Sequence, residues 1–264
     1  AIDPASPVLF DHNADGSRSA TGWIAPDDGL VVLDLNGNGL IDTGRELFGD
    51  NTFLADGSNL AANGFEAIAQ YDANLDGKIN NADAVYTQMR IWQDANQDGV
   101  SQAGELKTLT ELGIASINVT GTPSNISLGN GNTQPWSGSF TRAADGTGDS
   151  GTPELSGSLL LASNNFVREF TDDPAITPQA QALPQMHGSG EVRDLRPAMS
   201  LGTAQATALQ AAVAQFAQGT TREAQLAELD TFIQSCGATS AMPTSIQTNR
   251  TSSSFSTVTA IEQF

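Results

Sequence analysis

Apolar residues along this chain fall into short groups, and the polar segments between them in the N-terminal part are built largely from Asp, Asn and Gly. Phe65, Ile68, Ala69 and Tyr71 recur at helical spacing, as do Val85, Met89 and Trp92 within 82–92 and Leu106, Leu109 and Leu112 within 103–112, so three short helices with one buried face are predicted. Gly113 stops the last of them. Strands are predicted over Leu30-Val-Val-Leu33, with Trp23-Ile24 as a short partner, and over 114–119, 137–142 and 157–162. Residues 129–139 are turn-rich, and 143–156 read as a loop. Trp23, Trp92 and Trp136 read as core or rim packing. After Phe170 the texture changes. Residues 171–200 are Pro-rich without a sustained period, which suits a linker. An Ala/Gln-rich helix near 203–218 follows, carrying Leu209, Val213 and Phe216, and Gly219 ends it. Thr220-Thr-Arg-Glu223 then reads as a capping box that opens a second helix with Leu226, Leu229 and Ile233 inward. The two form a helical hairpin within 201–264, followed by a Ser/Thr-rich tail.

One phrase repeats four times between the N-terminal apolar groups: Asp11-His-Asn13-Ala-Asp15-Gly16, Asp34-Leu-Asn36-Gly-Asn38-Gly39, Asp72-Ala-Asn74-Leu-Asp76-Gly77 and Asp94-Ala-Asn96-Gln-Asp98-Gly99. Asp, Asn and Gly also dominate ordinary turns, but four copies of D-x-N-x-[DN]-G, two with a carboxylate at position 12, point to a hard cation. Ca²⁺ takes six to eight oxygens; short side chains at positions 1, 3 and 5 supply three, the Gly at 6 allows a sharp turn, and the position-7 carbonyl follows. The fourth loop matches the EF-hand template in full, with Asp94, Asn96, Asp98, the Val100 carbonyl, Gln102 directly or through water, and Glu105 as the closing ligand. The third offers Asp72, Asn74, Asp76, the Lys78 carbonyl, Asn80 and a shorter closing acid, Asp83. The second offers Asp34, Asn36, Asn38, the Leu40 carbonyl and Asp42, with Glu46 one residue late for the template, so its closing ligand is open. The first offers Asp11, Asn13, Asp15 and the Ser17 carbonyl but has Gly22 at position 12, with Asp27 and Asp28 the nearest acids to borrow. His12, at the non-ligating position 2, reads as exposed. The first Asp residues of the third and fourth loops are 22 residues apart, which reads as a compressed EF-hand pair sharing one helix.

Charge agrees with a cation partner. The 264 residues carry 30 Asp+Glu against 11 Lys+Arg, a formal net charge of −19, and residues 1–119 hold 18 acids and 5 bases. That balance excludes ordinary nucleic-acid binding, which needs a basic footprint. A compact acidic domain repels itself unless cations neutralise it. With two His and one Cys, zinc and redox metals do not fit. Cys236 makes no internal disulfide and reads as a small apolar residue near a helix end, His187 is isolated, and no G-x-S-x-G occurs, so a conventional hydrolase is a weak reading. No apolar run approaches a membrane span, and 1–20 has neither a basic nor an apolar signal region, so a soluble segment of a longer chain is expected.

Phe10-Asp-His-Asn-Ala-Asp-Gly16, Ala20-Thr-Gly-Trp-Ile-Ala-Pro-Asp-Asp-Gly29, Asp34–Gly39, Glu46-Leu-Phe-Gly-Asp-Asn-Thr52 and Ile91-Trp-Gln-Asp-Ala-Asn-Gln-Asp-Gly99 resemble the calcium-binding self-processing modules of iron-regulated RTX proteins and related large secreted RTX proteins. The likeness runs from about Val8 to Phe170. It implies a bacterial module, secreted or at the cell surface as part of a parent RTX polypeptide, that folds on Ca²⁺ and cleaves an Asp-Pro bond at its N-terminal border. The freed aspartyl end can then form an isopeptide bond with lysine amines of other proteins. Asp3-Pro4 is the corresponding dipeptide, although the family usually carries an apolar strand and another Asp-rich loop between the scissile Pro and the F-D-H-N phrase, where this chain has only Ala5–Leu9. The expected architecture is α+β: a small domain organised by EF-hand-like calcium loops with short helices and strands over 1–170, a linker over 171–200, and a helical hairpin with a tail over 201–264. The competing reading is a non-catalytic, Ca²⁺-rigidified structural or adhesive spacer.

Overall fold

A computed structural model describes residues 7–143, 152–240 and 256–261. Their strands are β1 (Val8–Phe10), β2 (Ser17–Thr21), β3 (Gly29–Val32), β4 (Lys78–Ile79), β5 (Arg90–Trp92), β6 (Leu106–Thr108), β7 (Ile114–Asn118), β8 (Thr122–Gly129), β9 (Asn132–Arg142), β10 (Thr152–Leu161), β11 (Ser163–Phe170) and β12 (Ser256–Ile261). The helices are α1 (Gly64–Ala69), α2 (Pro178–Gln181), α3 (Leu195–Met199), α4 (Ala204–Gln218) and α5 (Arg222–Gly237). The chain divides into two compact units, one holding the described residues up to Ala14, those from Arg18 to Asn164, and β12, the other holding Asp15–Ser17 and residues 165–240.

A nine-stranded antiparallel sheet forms the frame of the first unit, in the order β4-β7-β9-β10-β12-β3-β5-β6, with β8 also against β9. The long strand β9 pairs with β10, with β8 along Asn132–Ser137, and with β7 along Ile114–Ile117 through Phe140–Arg142. All four residues of β3 are buried, because the sheet carries a core on each face there. Successive side chains of a strand point to opposite faces. Val31 and Ile91 accordingly join Ala67, Ile68, Ile79, Ile117 and Phe140 in one core, while Leu30, Val32 and Trp92 join Phe10, Ile24, Ile41 and Leu47 in the other. A strand covered on both faces reads as a continuous apolar run, as Leu30–Leu33 does.

The expected α+β domain with helix-flanked loops is overturned: the fold is mostly β, and its helices are few and short. Residues 82–92 form only a 3₁₀ turn at Ala84–Thr87 before Arg90–Trp92 enters the sheet, with Ile91 opposite Val31 and Trp92 opposite Leu30. Residues 103–112 place Leu106–Thr108 in a strand against β5. The apolar residues in these segments are buried as expected, but cross-strand pairing with β3 overrides a spacing short enough to suit either structure. The turn-rich reading of 129–139 gives way to a β8–β9 hairpin, and 152–156 of the expected loop belong to β10.

Helix α1 is the one expected helix of this region that forms. Asn63 Oδ1 accepts from the amides of Phe65 and Glu66, and the Glu66 carboxylate accepts from the Ala62 amide, so the N-terminal end of the helix is capped from both sides of Asn63. The helix is held by Phe65, whose ring lies between two glycines: a Cβ on Gly121 would meet Phe65 Cδ2 at 2.4 Å and one on Gly138 would meet its Cζ at 2.5 Å.

In the second unit, Thr203 and Thr221 cap α4 and α5 through the amides of Ala206 and Ala224. Ala180 of α2 and Leu195, Ala198 and Met199 of α3 pack with Leu209 and Phe232 in its core. The inward face of α5 is therefore Phe232 with Leu229, and Leu226 and Ile233 are exposed, a quarter-turn from the face that spacing alone suggests.

Gly138→Ala should destabilise the chain by about 1–3 kcal/mol through overpacking against Phe65. In a Phe65→Ala background most of that cost should disappear, leaving only a tight 3.1 Å approach to Ser156 Oγ, as denaturant unfolding of the four proteins of this cycle can measure.

Candidate metal centre

The four D-x-N-x-[DN]-G segments adopt one backbone form. Position 4 is left-handed in each, at Ala14, Gly37, Leu75 and Gln97, and so is the glycine at position 6. At Gly99 the requirement is double, because a Cβ there would also lie 2.7 Å from the Leu9 carbonyl oxygen.

In the second, third and fourth loops, side-chain oxygens gather the amides by one rule. The position-1 carboxylate accepts from the position-6 amide: Asp34 from Gly39 at 2.9 Å, Asp72 from Gly77 at 2.8 Å and Asp94 from Gly99 at 2.8 Å. The Asn at position 3 accepts from position 5: Asn36 from Asn38, Asn74 from Asp76 and Asn96 from Asp98. Position 5 accepts from position 7: Asn38 from Leu40, Asp76 from Lys78 and Asp98 from Val100. In the first loop Asp15 accepts from Ser17 in the same way.

A closing acid ties the two ends together. Glu105 accepts from Ala95 and Gln102, at positions 2 and 9 of the fourth loop, and Asp83 accepts from Ala73 and Asn80, at positions 2 and 9 of the third. Glu46, one residue late, accepts from Leu35 and Asp42, again positions 2 and 9. Glu46 thus bridges the two ends of the second loop by hydrogen bonds, as Asp83 and Glu105 do in theirs. Burial pushes its carboxyl above the usual range, and the neighbouring Asp42 charge adds to that.

Side-chain amides supply the remaining donors. Asn74 and Asn80 donate to Asp76, Asn96 and Gln102 to Asp98, and Asn38 to Asp42. The Asn74 amide is the main cause that holds the Asp76 carboxyl below its ordinary range. Two indoles reach the fourth loop, Trp23 Nε1 to Asp94 Oδ2 at 2.8 Å and Trp92 Nε1 to Glu105 Oε2 at 3.4 Å. Neither link is visible from sequence spacing.

Chemically the set is oxygen only, which suits a hard cation. An ionised carboxylate offers about four lone-pair directions, so the amide bonds leave acceptor capacity free. Among the described residues no group of three or more His, Cys, Asp or Glu side chains stands together as a metal cluster.

The remaining expected site residues are scattered. Asp11 is buried and Asn13 exposed; Asp27 is exposed, and Asp28 accepts from the Ala25 amide. Asp3 and Pro4 lie outside the described residues. His12 is not exposed as its position suggests: it is 6% accessible, with Nε2 3.1 Å from Thr21 Oγ1 and its ring edge-on to Phe10. In the second unit, an apolar cavity of about 690 Å³ is lined in part by Phe166, Met186, His187 and Cys236. Burial pushes the Cys236 thiol up, away from thiolate character, so a nucleophilic role there has no support.

The repeated loops mark a class of module built on Asp-rich turns, and the chain belongs to the SPM domain family, whose match spans residues 1–152. It is similar to the iron-regulated protein FrpA of Neisseria meningitidis serogroup C, with 48% identity over 226 residues, or 86% of this chain and 19% of FrpA. The chain therefore spans less than a fifth of that relative's length. Among the described residues no helix is long and apolar enough to cross a membrane.

Burial lowers the His12 pKa from 6.5 to about 4. The folded state thus holds the neutral ring while the unfolded chain binds a proton, so stability present above pH 6.5 is lost as pH falls toward 4. The full shift corresponds to about 3 kcal/mol. In a buffer that keeps the chain folded at pH 7, the stability of wild type should fall more steeply between pH 6.5 and 4 than that of His12→Leu; parallel curves from urea unfolding would contradict this burial.

Proposed function

We propose that this chain is the calcium-folded processing module of a secreted bacterial RTX-type polypeptide, and that it cleaves its own Asp3-Pro4 bond. The observation that carries the reading is the common closure of the second, third and fourth loops, in which Glu46, Asp83 and Glu105 each gather the amides of positions 2 and 9. Such closure brings the two ends of each loop together, and it supports the loops as cation sites. The Asn and Gln amides that now face Asp76 and Asp98 supply the electropositive partner that a cation would provide. Asp34, Asn36, Asn38, the Leu40 carbonyl, Asp42 and Glu46 would hold Ca²⁺ in the second loop. Asp72, Asn74, Asp76, the Lys78 carbonyl, Asn80 and Asp83 would hold it in the third. Asp94, Asn96, Asp98, the Val100 carbonyl, Gln102 and Glu105 would hold it in the fourth. Bound calcium supplies neutralisation of the clustered carboxylates, and so a rigid scaffold. The likeness to FrpA supports an RTX-type parent and secretion.

The chemistry lies in Asp3 itself. Its side-chain carboxylate attacks its own main-chain carbonyl carbon, the bond to the Pro4 nitrogen breaks, and that nitrogen leaves with a proton, so a five-membered anhydride remains. The tertiary amide of an X-Pro bond is easier to distort than an ordinary peptide. Water opens the anhydride to a free terminus, and a lysine amine of another protein opens it to an isopeptide bond. Holding the carboxylate in line is an orientation effect, worth up to about 7–11 kcal/mol in well-oriented cases.

Two outcomes test the reading. Calcium at a hundredfold excess over Kd should add about 2.7 kcal/mol for each site that binds only the folded state. Circular dichroism should therefore show a higher thermal midpoint in millimolar Ca²⁺ than in EGTA, with Glu105→Gln reducing the gain and Asp27→Asn leaving it. Identical midpoints would contradict calcium-driven folding. A precursor tagged before Ala1 should lose its tag on calcium addition, and Asp3→Ala should keep it. A folded, calcium-loaded wild-type precursor that stays intact for days would leave a non-catalytic spacer as the better description.

A further inference from the structure

We infer that Ser101 is a positioning residue that joins the second and fourth loops into one cooperative calcium-binding pair, while the third loop binds separately. The inference rests on the calcium reading above and assigns a regulation to those sites. In linear order the third and fourth loops are neighbours, with a 22-residue offset that suggests a pair. The structure couples the fourth loop to the second instead.

Position 8 is Ile41 in the second loop, Ile79 in the third and Ser101 in the fourth. The Ile41 amide donates to Ser101 Oγ at 2.7 Å, and the Ser101 hydroxyl donates back to the Ile41 carbonyl at 3.3 Å. Both residues are buried, at 1% and 3% accessibility, so water does not compete for these bonds. The Ile41 amide belongs to the same planar peptide as the Leu40 carbonyl, the position-7 ligand of the second loop. In a trans peptide the two groups point in opposite directions. Fixing that N–H on Ser101 therefore fixes the direction of the Leu40 oxygen. Ser101 is itself bonded to Val100, the position-7 residue of the fourth loop. One hydroxyl thus links the peptide that supplies a ligand to one loop with the residue after the equivalent ligand of the other.

Packing divides the loops in the same way. Ile41 lies in the core that holds Trp92, with Leu106 packed against it, and these two residues flank the fourth loop. Ile79 lies in the core on the other face, and its strand pairs with β7 through Ile79 opposite Ile117. A ligand that orders one member of the linked pair removes part of the ordering cost of the other, and such coupling is reciprocal. Position 8 of the third loop, Ile79, carries no hydroxyl to make an equivalent link.

The indoles of Trp23 and Trp92, bonded to Asp94 and Glu105, make tryptophan emission a reporter of the fourth loop. The experiment is a Ca²⁺ titration of the full chain by that emission, with calorimetry alongside. Glu46→Gln, which weakens the second loop, should raise the calcium midpoint at the fourth loop at least about fivefold, the lower end of ordinary allosteric coupling. Asp83→Asn should abolish binding at the third loop and move the fourth-loop midpoint by less than twofold. In a Ser101→Ala background the Glu46→Gln shift should fall below twofold. A wild-type chain with neither binding heat nor emission change overturns the calcium reading and the pairing with it. A chain that binds calcium, but whose fourth-loop midpoint ignores Glu46→Gln or follows Asp83→Asn equally, overturns the pairing alone. Retention of the full shift in Ser101→Ala overturns the role of the hydroxyl. If Ser101→Ala fails to fold, the comparison of Glu46→Gln with Asp83→Asn still decides the pairing.

Discussion

Clustered carboxylates with few cations to pair with are the constraint on which this fold depends. Residues 1–119 hold 18 acids against 5 bases, so ion pairing cannot satisfy the loops. They are satisfied by backbone N–H groups instead. One acid in each closed loop, Glu46, Asp83 or Glu105, accepts from two amides seven residues apart and so draws the two ends of the loop together. Hydrogen bonds to ionised acceptors are stronger than neutral ones. They direct the carboxylates but leave their mutual repulsion in place, and this is the charge that the proposed Ca²⁺ would neutralise.

The sheet distributes these loops. β3 is buried on both faces, and the position-8 residues of the second and third loops are set into its two cores while that of the fourth loop meets Ile41. Ile41 and Ile79 point to different cores, and Ser101 meets Ile41. Sequence neighbours are therefore separated, and loops 60 residues apart are joined. A helix-flanked EF-hand pair associates adjacent loops through its helices. Here strand pairing does the placing, and the strands β3, β5 and β6 that flank the second and fourth loops are only three or four residues long.

The loops were legible from sequence because their signal is local. Turn residues at fixed offsets act through their own neighbouring amides, so position 1 of each closed loop accepts from the position-6 amide without help from the rest of the chain. The strand at Leu30–Leu33 and the capped helix at Phe65 were legible for the same reason. The α+β architecture was not, because Val85, Met89 and Trp92 carry a spacing that a short helix and a turn-plus-strand satisfy equally. The choice falls to β3, which lies about 60 residues away in sequence. His12 was misread since position 2 of a loop is ordinarily outside, whereas here Phe10, Thr21 and Trp23 enclose it. The role of Glu46 was hidden by a single extra residue in its loop. Ser101 stands where the second and third loops have Ile41 and Ile79, and that difference is the one mark of it in the sequence.

The central claim is that the closed loops are calcium sites, and the most direct measurement is the number of Ca²⁺ ions the full chain holds, counted by native mass spectrometry as calcium is raised to the millimolar range. The account predicts one ion for each of the second, third and fourth loops, with one fewer in Glu105→Gln. A wild-type chain that remains folded and carries no specifically bound calcium at that concentration would contradict it.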